Sequence, residues 1–541
     1  MRYMSAFFLA ILSTTPAFAQ PARPPRLVIV LSIDQLSADL FDEYRPQLTN
    51  GLARLATGSV YRNGYQGQNA TETCPGHSTI LTGAHPSRTG IIANSWHDLG
   101  QARSDKGVYC AEDERVAGSS SSDYTVSPIH LKVPTLGELM KKANPASRSV
   151  VVAGKDRAAV MMSGQRPDQR WYWDGKKYST DLVGVAPPLS IGAANQTVAA
   201  LIAAPGLALT LPADCVAKAR SIAVGDGKFA VGDGRFARAA GDAKGFRATP
   251  AFDGMTLALA ARLIGEMRLG KGPATDIIAI GLSATDYVGH SYGGGGAEMC
   301  LQLHSLDRDL GDFLGLLDRA GLDYAVVLTA DHGGEDIPER LRLNGVATAA
   351  RTSPDLTPAK IGKAIGAKLG LAGPVLIGAS AHGDVYLDPA LKPADRRRAV
   401  QAALSAYRAD PQVEAVFTKD QLARTAVPRT SPDRWSLVER ARASFDAQRS
   451  GDLVVLLRRN ITPIAAPATG YVATHGSPWD YDRRVPILFW RPGIVRNERP
   501  EAVATVDIMP TLAAMLGLPI DASTIDGRCL SSAAVGACPA R

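Results

Sequence analysis

The sequence predicts an α/β fold, a mostly parallel sheet sandwiched by helices, with insertions capping the sheet's functional rim. Two observations predict it. Several short runs are apolar at nearly every position, as strands buried on both faces must be. Amphipathic stretches with helical period lie between many of them, for example "AEMCLQLHSLDRDLGDFLGLLDRA" (297–320) and "TPAKIGKAIGAKLGL" (357–371). Strands alternating with helices build parallel sheets covered on both faces.

In chain order, the first segment is "MRYMSAFFLAILSTTPAFAQ". Arg2, a short apolar core at 6–12 and the small-x-small Ala17-Phe18-Ala19 form a secretory signal, expected to be cleaved after Ala19. Residues 20–541 then form one domain, periplasmic or secreted. No later apolar run reaches the roughly 18 residues of a membrane span. The buried strands are "RLVIVLSID" (26–34), "SRSVVVAGKDR" (147–157), "TDIIAIGLSATD" (275–286), "YAVVLTADHGG" (324–334) and "VPILFWRPG" (485–493). Two regions read as insertions. One spans about 158–250 and carries "GDGKFAVGDGR", whose Asp-Gly pairs suit hairpin turns; the other spans about 337–470. The run Gly293-Gly294-Gly295-Gly296 reads as a mobile loop, because no Lys-Ser or Lys-Thr pair follows to make it a phosphate cradle.

The six cysteines are Cys74, Cys110, Cys215, Cys300, Cys529 and Cys538. In an exported chain an even set suggests disulfides, with Cys529–Cys538 the best pair. The formal charge of +7 favours anionic substrates. No basic stripe interleaved with aromatics marks a nucleic-acid partner.

Chemistry gathers where the strands end. Open α/β sheets bind ligands beyond the carboxyl ends of their strands. There the sequence offers Asp34, Lys155-Asp156-Arg157, Asp286-x-x-x-His290 and Asp331-His332; His475 lies shortly before the last strand. Three aspartates and three histidines suit zinc by ligand type and are too many for one tetrahedral ion. Shared between two ions roughly 3.5–4 Å apart, they would suit phosphoryl transfer. Each piece alone could be a turn, a cap or a surface pair; their recurrence at successive strand ends sets them apart.

The stretch "TETCPGHSTILTG" (71–83) adds a nucleophile. Pro75 suits the first position of a helix, placing Thr73 or Cys74 just before a positive N-terminus. With hard ligands and phosphate chemistry, a metal-activated hydroxyl fits better than a thiolate. Lys155 and Arg157, two apart on a strand end, would point to one face and grip a phosphate dianion, with Asp156 turned away. Asn94 in "GIIANSW" offers a further donor.

These residues together resemble the alkaline phosphatase superfamily, and within it the PafA/SPAP-type bacterial alkaline phosphatases with a threonine nucleophile. The resemblance rests on Asp34, Thr73-Cys74-Pro75-Gly76-His77, Asp286-x-x-x-His290, Asp331-His332, His475-Gly476 and the tail "VDIMPTLAAMLGLP" (506–519). It implies two zinc ions, one held by Asp286, His290 and His475. The other would be held by Asp34, Asp331, His332 and Thr73. It implies a phosphothreonine at Thr73, with Asn94, Lys155 and Arg157 binding the phosphate. Asn94 follows Thr73 by 21 residues, as the family's asparagine follows its threonine. Related nucleotide pyrophosphatases/phosphodiesterases look different at the Lys-x-Arg, and sulfatases need a Cys-x-Pro-x-Arg absent here. Cys74 then becomes a structural neighbour or disulfide partner. The resemblance implies a hydrolase of small phosphate monoesters; the alternative is a phosphodiesterase of the same superfamily. The chain is expected to be a monomer. A non-catalytic binding protein on the same scaffold would lack the nucleophile or a ligand, and every one of those positions is filled.

Overall fold

The computed structural model describes residues 23–206, 209–236, 238–531 and 538. The expected signal segment lies outside them. Among the described residues no helix is long and apolar enough to cross a membrane.

In chain order the strands that build the two main sheets are β1 (Leu27–Ile33), β2 (Ser59–Tyr65), β3 (Ser149–Ala153), β4 (Gln169–Trp173), β5 (Tyr178–Ser179), β6 (Asp276–Leu282) and β7 (Tyr324–Thr329). They continue with β8 (Leu376–Ile377), β9 (Gly383–Leu387), β10 (Val413–Thr418), β11 (Leu453–Leu457), β12 (Arg484–Trp490), β13 (Asn497–Arg499) and β14 (Val503–Ala504). The helices used below are α1 (Thr73–Ile80), α2 (Asp156–Ser163), α3 (Pro250–Glu266), α4 (Ala284–Tyr292), α5 (Ala297–Arg319), α6 (Pro358–Leu369), α7 (Pro393–Ala409) and α8 (Ile508–Met515).

The large sheet has the order β13-β2-β12-β7-β1-β6-β3-β4-β5, with β14 also beside β2. Its centre, β7-β1-β6-β3-β4, is parallel throughout. β12 runs antiparallel to both β7 and β2. Every residue of β1 is buried. Side chains alternate across a strand, so Leu27, Ile29, Leu31 and Ile33 join one core with α3 and α5. Val28 and Val30 join the other, with Ile80, Ala158, Met162 and Leu512. Helices on both faces are what a strand without a polar side requires.

A second, smaller sheet is antiparallel, in the order β8-β9-β11-β10. It has its own cores: Leu453, Val455 and Leu457 pack with residues of α6 and α7 on one face. Val454 and Leu456 pack with Leu422, Ala441 and Phe445 on the other. The Asp-Gly stretch forms a hairpin, Ile222–Val224 against Phe229–Val231.

All three disulfides form: Cys74–Cys110, Cys215–Cys300 and Cys529–Cys538. The glycine run 293–296 is not the free loop expected. It links α4 to α5 against Asp336 and Arg340. A Cβ at Gly293 would come within 2.4 Å of Asp336 Oδ1, and φ there is +82°, so packing and backbone both demand glycine.

Candidate active site

The parallel strands deliver their carboxyl ends to one rim. Asp34 follows β1, Asp286 and His290 sit one turn apart on α4 just after β6, and Asp331-His332 follow β7. His475 precedes β12. Because β12 is antiparallel to β7, its amino end reaches the rim that the parallel strands reach with their carboxyl ends. The turn after β1 is strained to fit: Gln35 has φ +68°, and its N–H donates to Asp331 Oδ1 at 3.2 Å.

Asp34, Asp286, Asp331, His332 and Thr73 are fully buried. His290 Nε2 and His475 Nε2 lie 3.3 and 3.4 Å from Asp286 Oδ1. His332 Nε2 lies 3.2 Å from Asp331 Oδ2 and 3.4 Å from Asp34 Oδ1. At the rim, two groups have donor atoms all within 4.8 Å of one another: Asp286/His332/His475 and Asp34/Asp331/His332. His332 belongs to both, so the two clusters share a wall.

These side chains fit divalent metal ions. Each candidate ligand histidine presents Nδ1 to a main-chain carbonyl: His290 to Ala473 at 2.7 Å, His332 to Gly333 and His475 to Thr71 at 2.8 Å. Only an N–H satisfies a carbonyl, so in the neutral rings Nε2 is left as the lone-pair atom, the arrangement that orients metal-binding imidazole. Asp34 Oδ1, Asp286 Oδ1 and His332 Nε2 are buried without a hydrogen-bond partner, an arrangement that added positive charge relieves. The Lys155 ammonium bridges the clusters, 2.6 Å from Asp34 and 2.5 Å from Asp286.

Charge follows the same geometry. Burial, then Asp286 and Asp331, raises Asp34 well above the usual carboxylate range. Burial also pushes Asp286 upward, but His290, Lys155 and His475 outweigh it and hold it well below that range. Burial lowers His290 to about 4 and His332 to about 3, so both rings are neutral at neutral pH. Burial opposes protonation of His475 too, but the Asp286 carboxylate facing it leaves it raised.

Thr73 opens α1, and Glu72 is the N-cap. The helix therefore begins two residues before the start expected from Pro75, which sits within the first turn, where no N–H is needed. Gly76 lets this turn press on the Asp331 segment: a Cβ there would lie 2.0 Å from Asp331 O. Beyond Thr73, the expected free N–H groups of the helix start are already engaged or absent. Cys74 N donates to Asn94 Oδ1 at 2.8 Å, Pro75 has none, and Gly76 N donates to Glu72 O at 2.9 Å. With its oxygen bound to Cys74, Asn94 keeps Nδ2 as a donor.

Lys155 and Arg157 are not on a strand end. β3 stops at Ala153, Lys155 caps α2 and Arg157 lies in its first turn. They converge all the same: Lys155 Nζ lies 3.4 Å and Arg157 Nη2 3.5 Å from Thr73 Oγ1. Asp156 is turned away, accepting from Tyr109 at 2.9 Å and Tyr124 at 2.8 Å. Several contributors carry no role that the sequence alone assigns. Glu72 Oε2 accepts from Asn94 N at 2.6 Å, fixing the asparagine from behind. His77 Nδ1 lies 3.1 Å from Asp331 Oδ2. Tyr109 touches Arg157 at 3.4 Å, and only its neighbour Cys110, disulfide-bonded beside Thr73, could have pointed to it.

The family model described as type I phosphodiesterase / nucleotide pyrophosphatase matches residues 28–478. The chain is 54% identical over 517 residues to the alkaline phosphatase PhoK of Sphingomonas sp., covering 94% of this chain and 91% of the relative. The chain belongs to the alkaline phosphatase superfamily. It is 46% identical over 509 residues to the alkaline phosphatase PhoD of Zymomonas mobilis, covering 93% of this chain and 88% of that one. The crystal structure of wild-type alkaline phosphatase PafA superposes with a TM-score of 0.80 at 25% identity, over 96% of this chain and 100% of that chain. Within the superfamily the chain is an alkaline phosphatase of the PhoK/PhoD/PafA type, a phosphoric monoester hydrolase. The observed sheet is that fold, and the candidate metal groups stand at its rim.

Proposed function

We propose that this alkaline phosphatase is a two-zinc enzyme that hydrolyses phosphate monoesters by double displacement through a phosphothreonine at Thr73. One observation carries the reading: the Thr73 hydroxyl, fully buried, lies within 3.5 Å of both Lys155 and Arg157, and Lys155 in turn touches a carboxylate of each carboxylate–imidazole cluster. Asp34, Asp331, His332 and Thr73 would hold one ion, and Asp286, His290 and His475 the other. When bound, zinc supplies Lewis acidity, favouring the ionised hydroxyl and neutralising charge on the leaving oxygen.

The chain's own groups do the rest. Thr73 Oγ1 attacks phosphorus, and the ester oxygen leaves on the far side. Lys155, Arg157 and Asn94 Nδ2 bind the three non-bridging oxygens, where charge must be stabilised during transfer. Water then attacks the phosphothreonine in line and regenerates the hydroxyl. Arg157 is held for this by Tyr109, and Asn94 by Glu72 and Cys74. The mature chain would be one exported, monomeric domain, residues 20–541, with insertions at about 158–250 and 337–470. The signal segment and the disulfides support periplasmic or secreted placement.

A second reading, diester hydrolysis, is favoured by the description of the matched family model. Against it stand two cations at one hydroxyl, suited to a dianion. The deciding measurement is kcat/KM of zinc-loaded protein on an aryl phosphate and its methyl diester. A strong monoester preference supports the proposal. A diester preference overturns it and leaves Thr73 in a phosphodiesterase.

A further inference from the structure

A cavity of about 540 Å³ opens directly onto Lys155 and Arg157. Tyr172 and Trp173 wall it, and Tyr287 and Arg247 lie where it meets a second cavity of about 550 Å³. Tyr287 follows the candidate ligand Asp286 in sequence. Its ring is approached by two cations: Lys155 Nζ is 5.0 Å from the ring centroid and Arg247 Cζ is 4.4 Å from it. A guanidinium therefore stands one aromatic ring away from the ammonium that touches Thr73.

Arg247 differs from the other arginines around these cavities. Arg157 reaches Thr73 and Tyr109, and the exposed Arg235 lies 3.8 Å from Asp233. Arg238 donates to four main-chain carbonyls. Arg247 has no carboxylate partner among the described residues. Its polar contact is the Tyr287 hydroxyl at 3.3 Å, and its Nε is buried without a partner. The carboxylates of the two cavities do not pair with it: in the second, Asp242 accepts from Gly245 N, Glu298 from Gly232 N and Gly234 N, and Asp233 from Arg235 N. Asp156 is held by two tyrosines, Asp181 by Arg170, and Asp174 by Lys176 N, Lys177 N and Ser179 Oγ. Asp123 is exposed. A half-buried, pre-oriented, uncommitted guanidinium is a built anion receptor.

Resting on the phosphatase reading, we propose that Arg247 binds a second phosphoryl group carried by the leaving group. Bisphosphate monoesters are then the preferred substrates, their reacting phosphate at Thr73 and their distal phosphate at Arg247. The chemistry is unchanged: Thr73 Oγ1 forms the bond to phosphorus, and the alkoxide leaves with its distal phosphate still attached.

The test compares butane-1,4-diol bisphosphate with butyl phosphate as substrates of the zinc-loaded mature chain. Binding of butane-1,4-bisphosphonate and butylphosphonate is measured in parallel by calorimetry. The wild type should prefer the two-phosphate member by about tenfold or more in kcat/KM and in Kd. Arg247→Ala should reduce that ratio to about twofold, the statistical advantage of two equivalent groups. Arg247→Met, which keeps bulk over Tyr287 without charge, should do the same, and Arg247→Lys should restore part of it. A ratio that survives Arg247→Met would belong to the net charge of the protein and would overturn the proposal. So would a wild-type ratio near two. Failure to turn over any monoester would instead overturn the phosphatase reading, while the phosphonate pair would still decide the role of Arg247.

Discussion

The two sheets solve the same packing problem and end in opposite outcomes. In both, central strands are buried on two faces, and alternate residues feed separate cores: β1 in the large sheet, β11 in the small one. The large sheet is parallel at its centre, so β1, β6 and β7 all bring their carboxyl ends to one rim. The small sheet is antiparallel, so its strand ends alternate and no rim collects them. Packing makes a sheet; strand direction decides whether that sheet gathers chemistry.

The comparison breaks most visibly if the rim is not where reaction happens. Thr73→Ala should lower monoester kcat/KM by about 10³-fold or more, with a thermal midpoint close to wild type. A smaller loss would remove Thr73 from the reaction. Stripping metal with a chelator should abolish turnover and lower the thermal midpoint together, and zinc should restore both. A bound ion present at a thousand times its Kd contributes about 4 kcal/mol to stability. Recovery of stability without turnover would make the metal purely structural.

Lys155→Ala with Arg157→Ala should cost about 10²-fold on an aryl monoester and clearly less on its methyl diester. Equal losses would deny the pair its dianion role. The small sheet should behave in the opposite way. Leu453→Ala, in its two-faced core, should cost about 2–5 kcal/mol of stability and leave kcat of the folded fraction unchanged. A fall in kcat at full folding would tie that sheet to the reaction.

The smallest effect concerns pH. Asp253 supports the start of α4 from beneath, accepting from Ala284 N at 2.9 Å and Gln302 Nε2 at 3.1 Å. Burial raises its pKa to about 7. The folded state then holds a proton that the unfolded chain has released, so stability falls as pH rises from about 4 to about 7 and levels off above. The span is on the order of 1–4 kcal/mol. Urea titrations of Asp253→Asn should show a flatter profile over that interval; an unchanged slope would assign it to other groups.

How much of this was legible in the sequence follows from the same contrast. The five central strands declared themselves because double burial leaves few polar positions. The rim residues did so because each follows, or in the case of His475 precedes, such a strand. β2 was not legible: "SVYRNGY" carries Arg62 and Asn63, exposed and half-buried, as befits a strand away from the sheet's centre. Lys155 and Arg157 were read at the right place for the wrong geometry. Period-two reasoning put them on a strand face, whereas a strand-to-helix turn brings them together. Glu72, His77 and Tyr109 act through contacts that only folding creates, across the Asn94 loop, the Asp331 segment and a disulfide.

The place of β2 has a consequence for how the protein is made. Its sheet partners are β12, β13 and β14, all encoded after residue 483, and β2 itself ends at Tyr65. At about 5–20 residues per second of synthesis, that strand waits on the order of tens of seconds for its first neighbour. Its unpaired edge needs shielding for that time, because such edges template aggregation. A ribosome that stops short of Arg484 therefore releases an orphaned strand as well as a chain without its last rim-facing strand. Messages truncated there should yield insoluble product, however complete the earlier domain core.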